Sequence, residues 1–243
     1  MKLEGKTALI TGGGSGIGLA TARLFLEQGA RVAISGRNPD RLKQAADSLA
    51  AGDRLMYHPA DVADVEQVRQ LVKQVQSRLG DIHILVNNAG INVKNRAVRD
   101  LTPDSWRQQI DTNLNGAFYC VHEVLPGMLA RSEGIIVNIN SVSGLRSGPL
   151  GGIAYNASKF GMRAMAICLA EEVRDAGIRV STIFPGEVDT PILENRPNPV
   201  SEEHRRRILR SEDVAQAVLF VVTMPAHVSI PELVIKPTSQ AFI

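Results

Sequence analysis

The sequence predicts a doubly wound α/β fold, a parallel sheet with helices on both faces. Three observations carry that prediction. Short β-rich runs alternate with longer stretches of helical periodicity along the chain. Runs such as "ILVNN" and "IIVNI" are apolar without clean alternation, as strands buried on both faces are. The first run leads straight into a glycine loop, "TGGGSGIG", which opens a helix.

The elements follow in order. "KTALIT" reads as a strand and "GIGLATARLFLEQGA" as a helix. "RVAIS" is the next strand. Asn38 and Pro39 then form an N-cap and first helical position, opening a helix that runs through about Ala50. "RLMYHPAD" is a strand, residues 64–79 a helix, and "IHILVNNAG" a strand ending in a glycine turn. "PDSWRQQIDTNLNGAFYCVHEVLPGMLARS" reads as one long helix, with a kink expected at Pro126. "GIIVNINS" is a strand, residues 152–176 a helix, and "IRVSTIFPG" a strand. A loop and two helical stretches lead to "PELVIKP", an edge-like last strand. With no linker, low-complexity tract or repeat, residues 1–243 read as a single domain.

Composition narrows the function classes. Of 243 residues, 44% are hydrophobic and 21% charged, an ordinary globular balance. A net charge of +2 and an aromatic content of 4% point away from a nucleic-acid partner. Cys120 and Cys168 lie in apolar helical patterns and are expected in the core, in a reducing compartment. The five histidines are scattered, so no metal is expected. The opening "MKLEGKTALITGGG" reads as neither signal peptide nor membrane span, and a cytoplasmic location without membrane contact is expected.

Two stretches carry chemistry. In the glycine loop, a backbone free of side chains can approach a pyrophosphate at a helix N-terminus, as in Rossmann-type nucleotide sites. Its candidate contacts are Thr11, Gly12, Gly14, Ser15, Gly16, Ile17 and Gly18. The second strand ends Ser35-Gly36-Arg37, with no carboxylate before Asp40. Arg37 suits the 2′-phosphate of NADP; the other reading is a solvated residue ahead of a helix. In "AYNASKFG", Tyr155 and Lys159 lie one helical turn apart on one face. A cation beneath the ring is expected to lower the phenol's pKa from about 10 and make Tyr155 a general acid/base.

The glycines Gly12, Gly16 and Gly18, "NNAG" at 87–90, the serine in "NINSVSG", Tyr155-x-x-x-Lys159 and "FPGEVDT" stand in order over about residues 4–236. Together they closely resemble the short-chain dehydrogenase/reductase family. The resemblance implies that Ser141 bonds the substrate oxygen, Tyr155 passes the proton, and Lys159 lowers the tyrosine pKa and holds the nicotinamide ribose. It implies that Asn113 holds a water of the proton relay; read alone, Asn113 is equally a surface polar residue. For the cofactor it implies Asp61 and Val62 at the adenine, and Asn87, Ala89 and Gly90 along the ribose and phosphates. Pro185, Gly186, Val188 and Thr190 would hold the nicotinamide end.

The chain departs from the family at Asn140, where many relatives carry serine, and in lacking a glycine-rich ending. The ending, with "EDVAQAVLFVV" before it, resembles the branch of NADP-dependent 3-hydroxy acid and serine dehydrogenases, with 3-oxoacyl reductases as a further relative. A short substrate flap is expected at about 187–210, leaving an open pocket for a small carbonyl or alcohol. Arg146 is one candidate for binding an acidic substrate. Arg205, Arg206, Arg207 and Arg210 are either another or a solvated helix countered by Glu202 and Glu203. The resemblance implies a homodimer or homotetramer. The reading is an NADP-dependent oxidoreductase, with NAD possible. The rivals are an NAD-dependent alcohol or sugar dehydrogenase and a non-catalytic nucleotide-sensing module.

Overall fold

The computed structural model describes residues 1–241. Among them, seven strands form one parallel sheet: β1 (Thr7–Thr11), β2 (Arg31–Gly36), β3 (Leu55–Pro59), β4 (Ile84–Asn87), β5 (Gly134–Ile139), β6 (Ile178–Pro185) and β7 (Glu232–Ile235), in the order β3-β2-β1-β4-β5-β6-β7. This is the doubly wound architecture, and β7 is its edge, as the sequence predicts. The order reverses between β1 and β4, which leaves a crevice at their carboxyl ends.

Side chains of the central strands alternate between two cores. Ala8 and Ile10 of β1, with Ile84 and Val86 of β4, face helices α1 (Gly16–Glu27) and α8 (Ser211–Val222). Leu9 and Leu85 face α3 (Val65–Leu79), α5 (Gly116–Arg131) and α6 (Ile153–Glu172). Ile10, Leu9 and Leu85 are each 0% exposed, so the central strands are dry on both faces. The short α7 (Glu202–Arg205) lies in the segment between β6 and α8.

Local chemistry sets the helix ends. Asn38 caps α2 (Pro39–Leu49), its side chain accepting from the Arg41 N–H at 2.9 Å, with Pro39 in the first turn. Asp64 caps α3 in the same way.

Three expectations are corrected. The long helix of residues 103–132 is α4 (Pro103–Ile110) and α5 joined by a π-helical turn, Asp111–Asn115. That turn carries Asn113 inward, where it is 0% exposed. α5 runs on through Pro126, the position where a kink is expected; the proline is exposed, so the carbonyl its ring leaves unbonded can meet water. Cys168 is exposed on α6, whereas Cys120 is buried and its thiol pushed up to about 12. Residues 174–176 form a separate short 3₁₀ turn rather than the end of α6. Among the described residues no helix is long and apolar enough to cross a membrane.

Candidate active site

The crevice beyond β1 and β4 is a cavity of about 570 Å³. The glycine turn forms one wall. Gly12 has φ +65°, and a Cβ there would meet Asn88 Nδ2 at 2.8 Å. A Cβ on Gly18 would collide with the Gly12 carbonyl, so these two glycines let α1 approach the end of β1. The N-terminus of α1 has no acidic residue in its first turn, and Ser15 makes no capping bond. Its uncapped N–H groups therefore open toward the space lined by Gly14, Ser15, Gly16 and Ile17, which suits an anion.

Arg37 is exposed at the rim and has no carboxylate partner among the described residues. Arg41, one turn into α2, lines the same rim; the sequence reading did not single it out. Asp61, Val62, Ala89 and Gly90 form the next stretch of wall. Pro185, Gly186, Val188 and Thr190 stand opposite, joined by Gln240, whose side-chain oxygen accepts from the Glu187 N–H at 3.0 Å.

Four of the predicted catalytic and cofactor-binding residues do not line the cavity. Thr11 is 2% exposed, and its hydroxyl accepts from the N–H groups of Asn88 and Ala89 at 3.0 Å each. It therefore holds the end of β4 against β1. Asn87 points into the sheet and donates to Asn138 at 3.0 Å; its neighbour Asn88 lines the wall and donates to the Thr11 and Gly12 carbonyls. Gly18 lies behind the turn. Asn113 lies behind Gly90: its amide accepts from Ile91 N–H at 2.8 Å and donates to the Ile91 carbonyl at 3.0 Å and to Ser158 Oγ at 3.1 Å.

The inner end holds Ser141, Tyr155 and Lys159. Ser141 follows β5, and its hydroxyl accepts from Ser143 N–H at 3.1 Å. Asn140 donates to the Lys159 carbonyl at 3.0 Å and accepts from Ser141 N–H at 2.8 Å. The residue that departs from the family pattern thus ties the end of β5 to α6. Lys159 is 3% exposed; its ammonium lies 5.6 Å from the Tyr155 ring centroid and donates to the Ile139 carbonyl at 2.9 Å.

The electrostatics differ from the sequence expectation. Burial raises the Tyr155 phenol above its ordinary value; a hydrogen bond with Ser141 and then the Arg96 charge oppose that rise. Burial also lowers Lys159 to about 8. The dominant effect is loss of water, which drives both groups toward their neutral forms.

The segment expected to form a flap is held by contacts of its own. Its ends meet in a bridge between Val188 and Leu209. Arg196 pairs with Glu187 at 3.1 Å, His204 contacts Glu187 at 2.6 Å, and Arg205 pairs with Asp189. Arg206 lies 3.8 Å from Glu202, and the backbone N–H of Arg210 donates to Asp213 at 2.7 Å. Arg146 is exposed and does not line the cavity, whereas Arg96 and Arg196, which the sequence reading passed over, do.

A cleft over a glycine turn at the reversal point of a parallel sheet places the molecule among the dinucleotide-binding α/β proteins. The chain belongs to the short-chain dehydrogenase family: that family's model, described as short chain dehydrogenase, matches residues 6–200. It is an oxidoreductase of that family. An uncharacterized oxidoreductase of Staphylococcus aureus (strain MRSA252) is 37% identical over 235 residues, 97% of this chain and 98% of the relative. The closed form of a serine dehydrogenase complexed with NADP+ superposes with a TM-score of 0.89 at 32% identity, covering 97% of this chain and 96% of that one. An alcohol dehydrogenase of Thermococcus sibiricus complexed with 5-hydroxy-NADP gives a TM-score of 0.87 at 28% identity, covering 98% and 99%.

Proposed function

We propose that the protein is an NADP-dependent oxidoreductase that interconverts a carbonyl and a secondary alcohol, with Tyr155 as general acid/base. The observation that carries the reading is continuity. One cavity joins the uncapped N-terminus of α1 and Arg37 at one end to Ser141, Tyr155 and Lys159 at the other.

A bound nicotinamide supplies the hydride donor or acceptor. The chain supplies position and proton transfer. Ser141 Oγ orients the substrate oxygen beside the phenol. During reduction, Tyr155 donates its proton to that oxygen as negative charge builds on it. A phenol kept protonated by burial is ready for this direction. Lys159 places a cation at the ring face, which offsets charge left on the phenolate. Asn113 stiffens the wall behind Gly90, and its contact with Ser158 links the π-helical turn to α6.

Support for NADP comes from the rim. Arg37 and Arg41 present guanidinium groups there, and no carboxylate ends β2. The serine dehydrogenase and the Thermococcus enzyme, complexed with NADP+ and with 5-hydroxy-NADP, agree with it. The NAD-dependent alcohol or sugar dehydrogenase reading lacks an acidic residue at that position. We place the working enzyme in the cytoplasm as a homodimer or homotetramer. Exposed Phe118, Phe160 and Ile167 on α5 and α6 supply apolar surface for assembly.

Parallel fluorescence titrations with NADPH and NADH, followed by a carbonyl screen, test the proposal. NADPH should bind at least tenfold tighter, and Arg37→Asp should erase that preference. Tyr155→Phe should lose nearly all turnover while still binding nucleotide. Near-normal turnover in that variant would sink the assignment of Tyr155.

A further inference from the structure

Arg96 is the least expected group in the cavity. It is 8% exposed, yet no carboxylate pairs with it among the described residues. Burying a guanidinium is costly unless its charge and donors are satisfied. Three donors go to backbone carbonyls: Nε to Val93 at 2.8 Å, one terminal nitrogen to Leu150 at 2.6 Å, and the other to Asn195. Carbonyls satisfy N–H groups but do not neutralise the charge. Each terminal nitrogen keeps one further N–H, and neither has a partner among the described residues.

The placement is built in. A Cβ at Gly152, which has φ +78°, would lie 2.5 Å from Arg96 Cβ, so glycine at 152 leaves room for the arginine stem just ahead of α6. The three carbonyls belong to the loop after β4, the segment before Tyr155, and the flap. The guanidinium therefore sits where these segments meet, inside the same cavity as Tyr155. The charges of Arg96 and Tyr155 influence each other, and Arg196 acts on Arg96 in turn. Arg196 lines the cavity from the flap and shares Glu187 with His204. Glu194 also lines the cavity but is exposed and pairs with neither arginine.

We propose that Arg96, assisted by Arg196, binds the carboxylate of the substrate, so that the enzyme acts on oxo acids and hydroxy acids rather than on neutral ketones. This rests on the carbonyl–alcohol chemistry proposed for Tyr155. Two N–H groups from one guanidinium match the two oxygens of a carboxylate, and an anion there supplies the missing counter-charge. It would also hold the flap closed, because Arg96 already grips Asn195.

The test compares straight-chain 2-, 3- and 4-oxo acids with their methyl esters, reduced by NADPH. At one chain length the acid should exceed its ester in kcat/KM by about tenfold or more. Arg96→Gln and Arg96→Lys should each cut that ratio at least tenfold, chiefly through KM for the acid, and Arg196→Gln should cut it less. Ligand-observed NMR of butanoate against butanamide gives a second readout that needs no turnover, with butanoate binding weakened in Arg96→Gln. Esters turned over as well as acids by the wild type, through Tyr155, would overturn the carboxylate site and leave the proposed function standing. No turnover of any member with either nicotinamide would overturn the proposed function. Butanoate binding would then decide the site alone: loss in Arg96→Gln supports it, and equal binding of acid and amide overturns it.

Discussion

Lys159 shows at the scale of one residue how this site opposes stability. Its ammonium is buried with one carbonyl for company, and its pKa falls from 10.5 to about 8. Between those values the unfolded chain binds more protons than the native one, so native stability should rise as pH climbs from about 8 toward 10.5. Below about 8 the full cost of the buried charge is present. Lys159→Met should therefore stabilise the nucleotide-free protein at pH 7 by about 1–3 kcal/mol while removing activity. Chemical denaturation at pH 7 and pH 10 checks this, and the gain should shrink at the higher pH. Tyr155, Lys159 and Ser141 were legible in the sequence because local spacing and order place them. Arg96 was not, because its meaning depends on Gly152 and Asn195, far along the chain. That the Thr11 and Asn87 side chains bond within the sheet was not legible either, because a motif does not reveal which way a strand-end side chain points.

Among the elements, strands and most helix starts were legible, since buried apolar runs and caps such as Asn38 are local signals. The junction of α4 and α5 was not. A π-helical turn keeps the helical pattern of the sequence while rotating α5 relative to α4, so residues 103–132 read as one helix. The same limit explains Pro126. A proline signals a kink, but whether the unbonded carbonyl meets water or core is a matter of packing. Because Pro126 faces outward in an unbroken helix, Pro126→Ala should add about 1–2 kcal/mol. Thermal unfolding reads this out, and a destabilised variant would show that the proline's restriction of the unfolded chain outweighs the helix defect.

For the whole molecule, Phe160 and Ile167 on α6 are 40% and 51% exposed. Sedimentation velocity should show a dimer or tetramer, and Phe160→Glu should shift it toward monomer. The strand order has a consequence during synthesis. β1 emerges first but belongs at the centre, and its partner β4 begins at Ile84, 73 residues after Thr11 (84 − 11). At ribosomal speeds of 5–20 residues per second, one side of β1 waits roughly 4–15 s. Throughout that interval Leu9 and Ile10 belong to an open, apolar edge that invites chaperones or neighbouring nascent chains. Ribosome-bound chains whose exposed portion stops short of Ile84 should be protease-sensitive, and those exposing the chain through β5 should be protected. Translation rate across residues 12–139, more than final stability, should then govern soluble yield.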